Sequence, residues 1–191
     1  ELATGAVSQL LDRAVAAFPD NPAIDFLGHK LSYRQLDDLV SRAACGLQQL
    51  GVGPGVHVGL FLPNTPHYFI GFLGVLRAGG TVVNYSPLDA ERTLAHKIED
   101  SQTDIMLTLD LASLYPRMAG LVGSTRLRHV VVGQFTEFCG AVSAGCAAGC
   151  GIAWMDGCSY DQICMCITNT LCNVGGIVCD GAKSSCAAKI A

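Results

Sequence analysis

Short apolar runs alternate with helix-period stretches along residues 1–138, and this alternation most narrows what the chain can fold into. Val7, Leu10, Leu11, Ala14, Val15 and Phe18 recur at helical spacing, and Pro19-Asp20-Asn21-Pro22 stops that helix. Apolar-alternating residues 23–26 and 30–33 flank Gly28-His29 and predict a small hairpin. Ser32 with Gln35 fits a capping box. The helix behind it carries Leu36, Leu39, Val40, Ala43, Leu47 and Leu50 on one face and stops at Gly51. Further strands are predicted at 56–62, 81–85, 104–108 and 129–132, with helices at 66–78, 90–100 and 110–121 between them. Strands joined to helices through short loops predict an α/β fold: a parallel sheet covered by helices on both faces, with right-handed crossovers.

The pattern breaks near residues 133–139. Nine of the ten cysteines lie at or after Cys139, and all seven prolines lie at or before Pro116. The last 53 residues hold only five charged groups: Asp156, Asp161, Asp180, Lys183 and Lys189. Two compositions in one chain predict two modules, 1–138 and 139–191. The second is rich in Gly, Ala and Cys and reads as all-α, with helices at about 141–155, 160–173 and 181–190 and a second capping box from Ser159 and Gln162. Its two uncharged runs, 138–155 and 162–179, are short for a membrane span and poor in Leu and Phe, so no span is expected.

Fifty per cent apolar residues and a mean hydropathy of +0.39 exclude an intrinsically disordered chain. A net charge of −4 gives no basis for nucleic-acid or anionic-membrane binding. No export signal opens the sequence, which predicts a cytoplasmic location. The absent initiator Met predicts a fragment or a processed start.

Residues 51–55, Gly-Val-Gly-Pro-Gly, are glycine-rich but lie between a helix and a strand. A phosphate loop must run from a strand into a helix, so these residues read as a plain connection. His67, Tyr68 and His129 are the polar residues that attract notice in the first module, and packing or solvated surface accounts for each.

Several segments of the first module resemble a known family. Leu31-Ser32-Tyr33-Arg34-Gln35-Leu36 looks like the L-T/S-Y-x-E/Q-L signature of adenylate-forming, AMP-binding enzymes. Residues 51–58 resemble their G-V-x-x-G-D-x-V segment, with Val56 where an Asp is usual. Leu62-Pro63-Asn64 and residues 75–84 extend the match in order, and Asn84-Tyr85-Ser86-Pro87-Leu88 is most like long-chain fatty-acid–CoA ligases. The resemblance implies activation of a fatty acid by ATP and Mg to an acyl-adenylate, then transfer to coenzyme A. The family's Ser/Thr/Gly-rich phosphate loop ending in Lys should follow next, and the sequence departs before it.

The cysteines of the second module leave several chemistries open: disulfides, a zinc site, an iron–sulfur cluster, or small core residues. Cys146 and Cys150 form one loose pair without a convincing second, and Cys158, Cys164, Cys166 and Cys172 read as core. Residues 179–189, Cys-Asp-Gly-Ala-Lys-Ser-Ser-Cys-Ala-Ala-Lys, resemble the C-D-G-A-K-x-x-C-A-x-K segment of L-serine dehydratase alpha-chain-like proteins, a group that includes cysteine desulfidases. Residues 157–163 and 169–178 resemble it too. This resemblance implies a [4Fe–4S] cluster with one open iron, acting as a Lewis acid in β-elimination from L-serine or L-cysteine. It assigns Cys179 and Cys186 as two ligands and Cys139 as the first, with Cys146 as the alternative. Asp180 and Lys183 are candidate polar neighbours.

The combined expectation is a piece of an acyl-CoA ligase joined to a piece of an iron–sulfur lyase, inactive as it stands and prone to self-association through an unpaired sheet edge. The rival readings are an active lyase and a non-enzymatic chimera.

Overall fold

A computed structural model describes residues 5–139. These fall into two compact units, 5–26 with 30–135 and 27–29 with 136–139. The helices expected beyond residue 140, and the second capping box, lie outside the described residues.

The first unit opens with helix α1, Ser8–Ala17. Strands β1, Pro22–Phe26, and β2, His29–Ser32, pair as a separate two-stranded sheet. Pro22 occupies the first position of its strand, where a missing N–H is tolerated. The turn residues Leu27 and Gly28 both have positive φ, 47° and 78°, the signature of the tight hairpin turn that matches strand twist.

Helix α2, Tyr33–Gln49, begins with the capping box read from the sequence. The Gln35 N–H donates to Ser32 Oγ at 3.3 Å, and the Ser32 N–H donates to Gln35 Oε1 at 2.8 Å. Its other end is a Schellman motif: Gly51 N–H donates to the Gln48 carbonyl and Val52 N–H to that of Leu47. Gly51 sits at φ 88°, which glycine adopts without a Cβ clash. Helix α3, Pro66–Arg77, closes the same way through Gly79, at φ 89°, and Gly80. Residues 51–55 cap α2 and lead into β3, His57–Leu60, at the amino end of the strands, the plain connection expected of them.

The main sheet adds β4, Thr81–Asn84, β5, Thr103–Leu109, and β6, His129–Gly133, in the order β4-β3-β5-β6 with every pair parallel. Neighbouring residues of β5 point to opposite faces and divide the core. Ile105 packs with Val58, Val75, Ala78, Ala44 and Leu47, on the side of α2 and α3. Met106 packs with residues of α4, Glu91–Asp100, and α5, Tyr115–Leu121, among them Leu94, Ile98 and Met118. Helices therefore cover both faces, as the alternation predicts. Gly74 lets α2 and α3 approach: a Cβ there would lie 3.1 Å from the Ala43 Cβ.

One element departs from expectation. The helix predicted over 110–121 begins only at Tyr115. Pro116 fits a first helical turn but not a helix interior, because it lacks an N–H and its ring clashes with the preceding turn. Asp110 instead ties strand ends together. Its N–H donates to the Gly133 carbonyl at 3.0 Å, and its Oδ1 accepts the Phe135 N–H at 2.8 Å.

In the second unit, the His29 and Phe138 rings meet edge-on with centroids 5.9 Å apart, and the Cys139 N–H donates to the Thr136 carbonyl.

Candidate functional site

In an open parallel sheet the helices following neighbouring strands pass to opposite faces at one point, and the carboxyl ends of the strands there leave a crevice. Here β3 feeds α3 on one face, while β5 feeds α5 on the other. The crevice thus falls at the carboxyl ends of β3 and β5, with β6 beside it.

A pocket of about 150 Å³ opens at that end. Leu62 enters it from beyond β3, His67 and Ile70 from the first turns of α3, Leu107 and Thr108 from β5, and Gly133 from the last position of β6. Gly133 is required by proximity: a Cβ would stand 2.7 Å from His67 Cδ2. The ring nitrogens of His67 are buried. Thr108 is 1 % exposed, and its Oγ1 has no hydrogen-bond partner among the described residues. A buried hydroxyl left without a partner loses its hydration uncompensated, at a cost of about 1–3 kcal/mol. The loop leading into α3 is held locally, with the Thr65 N–H donating to the Pro63 carbonyl at 2.8 Å.

Nearby, Tyr68 stacks on Phe72 and donates its hydroxyl proton to Asn84 Oδ1 at 3.1 Å. His129 lies exposed at the opposite, amino end of β6. The three polar residues singled out in the sequence therefore do not converge. Thr108 and Gly133 carried no signal there, because a threonine in an apolar strand and a glycine after one are both ordinary.

Of the cluster ligands assigned by resemblance, only Cys139 is described; Cys146, Cys179 and Cys186 lie outside the described residues, as do Asp180 and Lys183. Cys139 is half-buried, and burial pushes its thiol pKa up. That favours the neutral thiol over the thiolate a metal needs. No group of three or more His, Cys, Asp or Glu able to hold a metal occurs among the described residues. The described residues thus do not fit a cluster by themselves. No helix among them is long and apolar enough to cross a membrane.

Two family profiles match the chain: "AMP-binding enzyme" over residues 11–142 and "Serine dehydratase alpha chain" over residues 118–191. The matches overlap over 118–142. A long-chain-fatty-acid–CoA ligase of Bacillus subtilis is 38 % identical over 111 residues, covering 58 % of this chain and 20 % of that protein. A UPF0597 protein of Treponema denticola is 57 % identical over 60 residues, covering 31 % of this chain and 14 % of that protein. The apo structure of Mycobacterium smegmatis MbtA superposes with a TM-score of 0.62 at 32 % identity, covering 72 % of this chain and 26 % of that one. The chain spans a fifth or less of the length of the two curated relatives.

Proposed function

The chain belongs to the AMP-binding enzyme family over residues 11–142, and from that premise we propose that residues 1–138 are the opening scaffold of an ATP-dependent acyl-CoA ligase. In the whole enzyme they would support activation of a fatty acid through an acyl-adenylate. In these 191 residues that scaffold is joined to a serine dehydratase alpha-like piece, and the chain by itself does not adenylate.

The observation that carries this reading is where the two matches meet. The ligase pattern gives way within 118–142, and no Ser/Thr/Gly-rich loop ending in Lys follows in the sequence. In the parent family such a loop, running from a strand into a helix, is what would hold the nucleotide phosphates. An ATP–pyrophosphate exchange assay with fatty acids of several lengths is expected to stay at background. Fatty-acid-dependent exchange would overturn the proposal.

A second reading, iron–sulfur β-elimination of L-serine or L-cysteine, is favoured by the 57 % identity to the UPF0597 protein and by Cys179 and Cys186 in the matched segment. Anaerobic reconstitution with iron and sulfide tests it through bound iron and visible charge-transfer absorption. Cys139→Ala, Cys179→Ala and Cys186→Ala should each abolish the signal, and Cys164→Ala should leave it intact. Equal iron in all four variants would make the thiols adventitious.

We also propose self-association through the edge strand: Val131 and Val132 on β6 are 37 % and 41 % exposed, and β6 has one strand neighbour among the described residues. Light scattering should find species larger than one chain; a clean monomer would refute it.

A further inference from the structure

We propose that the chain pairs with a second copy of itself through β6, antiparallel and about a two-fold axis at Val131, so that two sheets of four strands become one continuous sheet. This pairing rests on the self-association reading above and gives it a partner, a direction and a register.

Hydrogen-bond parity decides which atoms of β6 are on offer, because the backbone groups of a strand point alternately to its two sides. The Leu107 carbonyl accepts the Phe61 N–H at 2.9 Å, so Leu107 faces β3, and Met106 and Thr108 face β6. Leu107 stands opposite Val131, and the Gly133 carbonyl accepts the Asp110 N–H at 3.0 Å. Val131 and Gly133 therefore turn their backbone groups inward to β5. Val130 and Val132 turn theirs outward, where no strand meets them among the described residues. Such a free row is a template for another strand. An antiparallel copy centred on Val131 sets Val130 against the partner's Val132 and Val132 against the partner's Val130, each facing pair exchanging two hydrogen bonds. A trough of about 590 Å³ along this edge, lined by Tyr115, Ala119, Val122, Val130 and Val132 among others, leaves room for the approach.

Charge selects the direction. The Arg128 side chain, at the amino end of β6, is 76 % exposed and stands 3.9 Å from Asp104, which Arg126 already holds at 3.1 Å. Asp110 is exposed and lies beside Gly133 at the other end. Antiparallel pairing about Val131 sets Arg128 against the partner's Gln134, next to the partner's Asp110. By alternation both charged side chains fall on the sheet face that carries Met106. The two-fold axis makes this contact twice. A parallel partner would bring the two basic ends together.

Sedimentation velocity of the full 191-residue chain, with reductant present, is expected to show a monomer–dimer equilibrium. Val132→Pro removes an outward N–H and spares the ladder to β5, so it should abolish the dimer while far-ultraviolet circular dichroism stays unchanged. Arg128→Glu sets like charges together at both symmetric contacts and should weaken the dimer about tenfold. Oxidative cross-linking with peptide mass spectrometry reads the register. Val131→Cys should link to its own counterpart, since the axis places the two Cα atoms about 4.5 Å apart, within disulfide reach. His129→Cys, facing the partner's Gly133, should not. A monomeric parent chain would overturn this pairing together with the self-association reading. Association that survives Val132→Pro in a folded chain, growth beyond the dimer, an unweakened dimer in Arg128→Glu, or cross-linking of His129→Cys as ready as that of Val131→Cys would overturn the pairing alone and assign association to another surface. Should Val132→Pro fail to fold, Arg128→Glu and the two cysteine variants still decide.

Discussion

Two threonines of one strand are equally buried and opposite in circumstance. Thr103, at the amino end of β5, is 0 % exposed, and its Oγ1 accepts the Tyr85 hydroxyl proton at 2.7 Å. Ser101 joins the same cluster, 2.8 Å from the Tyr85 hydroxyl and 2.9 Å from Thr103 Oγ1, and His57 Nδ1 stands 2.6 Å from the Ser101 carbonyl. Thr108, near the carboxyl end, is 1 % exposed and has no such partner among the described residues. Burial alone therefore does not distinguish scaffold from site; the accounting of hydrogen bonds does. The threonine hydroxyl at the amino end of β5 is held in a hydrogen-bonded cluster, and the one near its carboxyl end is buried without such a partner among the described residues.

The comparison can be broken most forcefully on the packed side. Gly59 of β3 faces Met106 and Tyr85; an added Cβ would lie 2.5 Å from Met106 Sδ and 2.8 Å from Tyr85 Cε2. Gly59→Val should destabilise the chain by about 3 kcal/mol, seen as an earlier urea midpoint. A shift of a few tenths would mean that the amino-end core is looser than its distances state.

The threonine pair sharpens the contrast through sign. Thr103→Val removes an acceptor from a filled network and should cost about 1–2 kcal/mol. Thr108→Val removes an unpartnered hydroxyl and should be neutral or stabilising by up to about 1 kcal/mol. Parallel urea denaturations decide between them; equal losses would erase the distinction between the two ends.

A smaller effect concerns the pin between helices. Arg77, in the last turn of α3, reaches Asp12 at 2.7 Å and Asp37 at 2.8 Å, and donates to Ser41 Oγ at 2.8 Å. Asp12 is largely exposed, so solvent screening holds the expected cost of Arg77→Ala to about 1 kcal/mol. No change would show that apolar contacts alone set the packing of α1 and α2 on α3.

The smallest expected effect lies in thiol chemistry. Cys45 is exposed, whereas Cys139 is half-buried with its pKa raised by desolvation. Alkylation followed by peptide mass spectrometry should label Cys45 before Cys139 near neutral pH. A thiol pKa raised by folding contributes stability below its unfolded value and loses it as pH climbs through the folded one. The Cys139→Ala variant should therefore lose slightly less stability than the parent on going above about pH 9. A reversed order of labelling would remove the burial argument against Cys139 as a thiolate.

The sequence disclosed the fold through features that act locally. The Ser32–Gln35 box, the glycines at 51 and 79, and the alternation of strands and helices each depend on residues within a few positions of one another. Pro116 showed the limit. Its presence inside a periodic stretch was readable, yet the helix start at Tyr115 becomes evident only beside Asp110, which binds strand ends 25 residues apart in sequence to Phe135. The pocket was less legible still. Leu62, His67, Thr108 and Gly133 come from a loop, a helix and two strands, and no spacing rule connects them. Thr103 and Thr108 look alike in the sequence because partnership, unlike hydrophobicity, is decided by topology.

The strand order β4-β3-β5-β6 also carries a history of assembly. The first strand of the main sheet to leave a ribosome, β3, becomes an interior one, and later strands are laid to either side of it. Among the described residues β6 arrives last and stands at a border. Each strand thus finds its docking site already synthesised, which suits folding from the amino end onward. Such growth makes the fold tolerant of its own sequel. β3, β4 and β5 are all made before β6, so a different continuation after Gly133 would leave their register untouched. The overlap of the two family patterns, 118–142, takes in the end of α5 and all of β6, the last-made strand among the described residues, and leaves β3, β4 and β5 outside it.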